Sequence, residues 1–188
     1  MKMHIRLQTL VRSALFLAIA LLLPFITGQI PVIGKMLCPM HLPILLCGYF
    51  CGPIASLIIG LIAPFLRFAI FGMPTIMPTA IIMSVELATY GISAALLFRY
   101  LPKNKIMSYV SLILALLIGR ITWAATHVIF FYTINEPFSW EIFLTAGFIN
   151  AIPGIILQLI LIPLIVNRIY YHKSVTPLNI NQRKIREK

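Results

Sequence analysis

The stretch Pro39–Gly72, PMHLPILLCGYFCGPIASLIIGLIAPFLRFAIFG, decides the architecture of this chain. As one helix, its apolar part from 42 to 71 would measure about 45 Å, against a bilayer hydrocarbon core of about 30 Å. Gly52-Pro53 falls inside it. Glycine closes a helix and proline opens one, so the pair predicts a break. The stretch therefore reads as two spans, 40–52 and 53–71.

Working outward, apolar runs predict further spans at 8–26, 77–99, 106–131 and 141–169, six in all. The basic start (Lys2, Arg6, Arg12) has the look of a signal-peptide n-region, but an apolar body follows it, so the first run reads as a span. Charge tests the split. With six spans and a cytoplasmic N-terminus, 12 basic residues fall inside and only Lys35 and Arg67 outside, while Arg120 lies within a span. A single span over 42–71 gives at best 10 against 4. Positive charge favours the cytoplasmic side, so both termini are expected there. Residues 1–172 are thus one membrane domain. The basic segment 173–188 is expected to be a disordered or membrane-surface cytoplasmic tail.

Composition agrees. Of 188 residues, 61% are apolar and 10% charged, with mean hydropathy +1.00, where soluble domains carry about 25% charged residues. The fold class is an all-α integral membrane bundle. The net charge of +11 lies at helix ends and in the tail, as topology requires, so nucleic acid is not an expected partner. Aspartate is absent, which removes aspartate-based phosphotransfer. There is no G-x-S-x-G, H-E-x-x-H or P-loop motif, so no enzyme is expected. Cys38, Cys47 and Cys51 read as reduced small hydrophobes, and no second His, Asp or Glu stands near His41 at metal-ligand spacing, so no metal is expected.

Charges within spans ask for a partner or a use, since each costs at least about 2.5–3.5 kcal/mol to insert. Glu86, Arg120 and Asn150 fall at a common depth, roughly 13–17 Å below the outer surface at 1.5 Å per residue. Arg120, Trp123 and His127, spaced i, i+3, i+7, share one face of the fifth span. Together they sketch a pocket whose alternative is a plain helix-fastening Arg120–Glu86 pair. The outer loops add Lys35, His41 and Arg67 as candidate contacts near the mouth, His41 as a loop or capping residue. Such loops could act as a lid. Ala14-x-x-x-Ala18 on the first span would let another helix approach closely.

Six spans with both ends inside, basic inner loops, Ala14-x-x-x-Ala18, and the run from Pro39 through MPTIMPTAIIMSVELATYG at 73–91 resemble a known family. The chain is similar over residues 8–170 to the substrate-binding S components of energy-coupling-factor (ECF) transporters, bacterial vitamin importers of the plasma membrane. The resemblance implies an S-component-like bundle that captures a vitamin from outside. It implies toppling against a transmembrane coupling subunit driven by two ATPase subunits, so ATP is used by the partners and no cofactor sits in this chain. It also implies that Ala14 and Ala18 contact the coupling subunit.

Arg120, with Arg67 or Lys35 near the mouth, favours a carboxylated vitamin such as pantothenate or folate. If Glu86 already neutralises Arg120, a pyridoxine-type compound or cobalamin returns. A stand-alone facilitator or channel and a membrane scaffold are the alternative classes.

Overall fold

The computed structural model describes residues 2–26, 36–102, 104–133 and 140–172. The described residues are helical and without strands. Lys35 and the tail from 173 lie outside them.

Helix α1 runs over Lys2–Ile26, α2 over His41–Cys51 and α3 over Pro53–Phe71. The expected break is present: Gly52 takes φ +92°, a conformation that side chains disfavour, and Pro53 occupies the first turn of α3. A kinked turn at Ile76–Ala80, in which Met77 is extended (φ −111°, ψ 132°), leads into α4, Ile81–Tyr100, and α5 spans Lys105–Thr133. The segment read as one span over 141–169 is divided. A short α6 (Trp140–Leu144) and a π turn (Thr145–Ile149) precede α7, Ile152–His172. Pro153 in the first turn of α7 suits a helix start, because its missing N–H would be unpaired there anyway.

Among the described residues, five helices are long and apolar enough to cross a membrane, over Leu7–Phe25, Pro53–Phe71, Ile76–Tyr100, Lys105–Thr133 and Ile152–Tyr170. The 11-residue α2 measures only about 16 Å and does not match the core thickness by itself. Its surface is distinctive: Ile44, Leu45 and Cys47 are fully buried, and so, nearly, is Tyr49. α2 is the hydrophobic axis of the bundle. Around it, the outer helices expose large apolar residues such as Leu10, Leu22, Ile54, Ile121, Ile129 and Ile160. An apolar girdle of this extent is at home in lipid rather than water.

Contacts fix the helix directions. Phe16 stacks on Phe50, just before α3 begins, and Phe25 meets Phe71 at the end of α3, so α1 and α3 run the same way. α3 and α4 are antiparallel and nearly touch: a Cβ on Gly60 would lie 2.5 Å from the Ala88 nitrogen, and one on Gly91 2.7 Å from Ser56 Cβ. Small residues allow such contact where lipid supplies no hydrophobic drive. α2 runs parallel to α4, with His41 beside Tyr90 and Gly48 against Gly91. α5 opposes α4, since Tyr90 fills the space beside Gly119 while Tyr49, which packs on Phe98 of α4, meets Ser111. α7 runs with α2, from Gly154 at Leu37 to Tyr170 at Tyr49.

Candidate functional site

An aromatic floor sets the reference level. The Tyr170 hydroxyl donates to the Tyr49 carbonyl at 2.8 Å, the Tyr49 hydroxyl meets Ser111 Oγ at 3.0 Å, and the Tyr49 ring packs on Phe98 at 4.9 Å. Counting back along each helix at 1.5 Å per residue, His41 (α2) and Arg120 (α5) stand about 12–14 Å above it. Glu86 (α4) and Gln158 (α7) stand about 18 Å above it. Four helices thus bring polar side chains into one layer.

Three of these residues touch. Glu86 Oε1 lies 3.3 Å from Arg120 Nη1 and 3.5 Å from His41 Nε2. Glu86 and His41 are each 3% exposed. The expected Glu86–Arg120 partnership is present, and it answers the guanidinium charge from within the protein. His41 differs from expectation. It is a buried residue at the start of α2 rather than part of an outer loop, because α2 begins deep in the bundle instead of at its mouth. Residues 36–40 carry the chain down to that point: Met40 is 1% exposed, and a Cβ on Gly154 would come within 2.8 Å of the Met36 and Leu37 carbonyl oxygens. Cys38 turns the chain with φ +45° and its carbonyl accepts the His41 N–H at 3.0 Å. The positive end of the α2 dipole therefore points into the layer that holds the Glu86 carboxylate.

The packing of this node is loose for hydrogen bonding. Both contact distances exceed the usual 2.7–3.2 Å of an N–H···O bond. Glu86 Oε1, Arg120 Nε, both ring nitrogens of His41 and Gln158 Oε1 are buried without a hydrogen-bond partner among the described residues. An unmet buried polar group costs about 1–3 kcal/mol. The layer gathers several such groups and so holds unmet hydrogen-bonding capacity.

The aromatic residues sort differently. Trp123 stacks on Phe143 of α6 at 5.3 Å and lies 4.9 Å from His127, which in turn packs on Phe131 at 4.6 Å. These rings fasten α6 to α5, one to two turns above Arg120. Gly147 leaves space for the Trp123 ring, which a Cβ would strike. A groove of about 580 Å³ runs between α5 and α6, walled by Leu117, Ile121, Val128, Trp140 and Phe143, with Arg120 as its charged member. Arg120 thus borders both the buried node and the groove.

Other expected contacts lie apart. Arg67 is on α3, seven residues beyond Gly60 and so about 10 Å further along the helix, with no ion pair among the described residues. Asn150 closes the π turn, its N–H bonded to the Thr145 carbonyl at 2.9 Å, and it precedes the level at which α7 meets the node. Lys35 is outside the described residues. Ala14 and Ala18 are both exposed on α1. Gln158 was not among the expected site residues. A lone glutamine in an Ile- and Leu-rich helix carries no spacing signal, and only its burial at 2% sets it apart.

The family model for the substrate-specific component of ECF transporters matches residues 8–166. No curated protein and no solved structure gives a significant match.

Proposed function

The chain belongs to the family of substrate-specific components of ECF transporters, and from that membership we propose that it captures a vitamin outside a bacterial cell and hands it to an ATP-driven module. The family is one of transporter subunits, not of enzymes, and the long apolar helices suit a multi-pass membrane protein. In this reading α2 and residues 36–40 together complete a sixth crossing, and both termini face the cytoplasm. The plasma membrane holds the complex. Transport proceeds by toppling of the bundle against a transmembrane coupling subunit, with ATP hydrolysed by two partner ATPase subunits and no cofactor in this chain.

The observation that carries the reading is the family match over most of the chain. The unpaired polar groups of the buried layer inside that span support it. Because Glu86 pairs with Arg120, the guanidinium charge is already answered within the site. That favours an uncharged, hydroxyl- or amide-bearing vitamin of the pyridoxine type, or a larger corrinoid such as cobalamin. Pantothenate and folate need Arg120 to exchange Glu86 for the ligand carboxylate. Arg67, Asn150, Trp123 and His127 then belong to the approach above the layer, and Lys35 is a further candidate contact for the ligand.

Uptake of radiolabelled vitamins into cells expressing the chain, with and without the coupling and ATPase subunits, tests this function. Accumulation only with the full module is expected. Uptake by the chain alone would favour a facilitator, and no uptake in any combination would favour a scaffold.

A further inference from the structure

Gln158 holds a position that the ion-paired node does not explain. On α7, Gly154 one turn earlier abuts the Met36 and Leu37 carbonyls, and Ile162 one turn later lies in the core with Ile44 and Leu45. Residues four apart share a helix face, and α7 runs with α2 from Gly154 at Leu37 to Tyr170 at Tyr49, so Gln158 lies on the α7 face toward the start of α2, where His41 is buried. It stands at the height of Glu86 above the aromatic floor. Its Oε1 and both ring nitrogens of His41 are buried without hydrogen-bond partners among the described residues. The rest of this α7 face is apolar or small: Gly154, Ile162 and Val166. A glutamine needed only for packing would be served as well by leucine or methionine, which bring no polar group to satisfy.

We infer that Gln158 is a specificity-determining contact for the transported substrate, its amide oxygen accepting a hydrogen bond from a neutral donor on the ligand, such as a hydroxyl or amide N–H. This deepens the proposed vitamin-capture role and rests on it. His41 supplies a ring nitrogen to the same ligand from the α2 side, so the substrate is gripped between α2 and α7 as well as at Arg120. Ligands offering no donor at that point are rejected, because they leave the amide oxygen buried and unpaired.

The experiment uses the full chain purified in detergent, wild type and Gln158→Met, with Gln158→Leu as a second variant. Pantothenate, folate, pyridoxine and cobalamin are titrated calorimetrically, and thermal unfolding is followed without ligand. The expected result is a vitamin bound by wild type and held at least tenfold more weakly by Gln158→Met, whose ligand-free melting temperature is equal or higher. Affinity unchanged in both variants would overturn the assignment while leaving the capture role intact. A lower ligand-free melting temperature in both variants would overturn it too, since it would mark Gln158 as a structural group. Binding of none of the four by well-folded wild type would count against the capture role itself, and the assignment would fall with it.

Discussion

Glu86 and Arg120 form an ion pair in the interior of the bundle, 3.3 Å apart between α4 and α5, with side chains only 4% and 12% exposed. Removing one partner strands the other in a low-dielectric setting, whereas removing both does not. Glu86→Gln is therefore expected to destabilise the chain by about 3–5 kcal/mol. The double variant Glu86→Gln/Arg120→Met should recover much of that loss. Thermal unfolding in detergent checks this. Equal losses in the single and double variants would show that the pair is not the relevant unit.

The α3–α4 seam depends on the missing side chain at Gly60. A methyl there would meet Ala88 N at 2.5 Å and Ala88 Cα at 2.7 Å, which are backbone atoms that cannot swing aside. Gly60→Ala should cost about 1–3 kcal/mol through forced helix separation. A melting temperature equal to wild type would contradict the close approach.

Trp123 links α5 to α6 through Phe143, with His127 alongside. Trp123→Ala should loosen α6 without unfolding the bundle, because α6 and its π turn make few contacts with the core axis α2. Hydrogen exchange should rise several-fold in residues 140–149 and stay unchanged in α2 and α4. Uniformly raised exchange would show that the aromatic cluster supports the whole fold.

Ala14 and Ala18 lie exposed on α1 and contribute nothing to the core. Replacing both with leucine is expected to leave melting temperature and vitamin affinity within twofold of wild type. Transport with the complete module should fall at least tenfold. Loss of binding, or full retention of transport, would remove them from the proposed coupling surface.

The parts of this arrangement legible in the sequence are those where chemistry leaves few choices. Gly52-Pro53 cannot continue a helix unaided, and the break falls there. Glu86 and Arg120 are charges in apolar helices, so cost alone asks each for a partner or a use, and their pairing is one of the two readings the sequence leaves open. His41 was harder to place. Hydropathy shows that residues 41–51 are apolar, but not that α2 is a short axis starting deep inside the bundle, and that start is what carries His41 to Glu86. Asn150 was given its depth by assuming one continuous helix from 141, and the π turn with the α7 start removes that register. Gln158 gave no signal because its significance depends on which face of α7 the bundle covers, a property of packing between distant segments. Trp123 and His127 do share a face, as their spacing required, yet that face meets α6 while Arg120 reaches across to Glu86.

The most direct measurement is equilibrium titration of the purified full chain, alone and without ATPase subunits, against pantothenate, folate, pyridoxine and cobalamin. The account predicts saturable one-to-one binding of one of them, weakened at least tenfold by Arg120→Ala in protein that still purifies as a folded species. A well-folded chain that binds none, or an Arg120→Ala variant with unchanged affinity, would contradict capture at the buried polar layer.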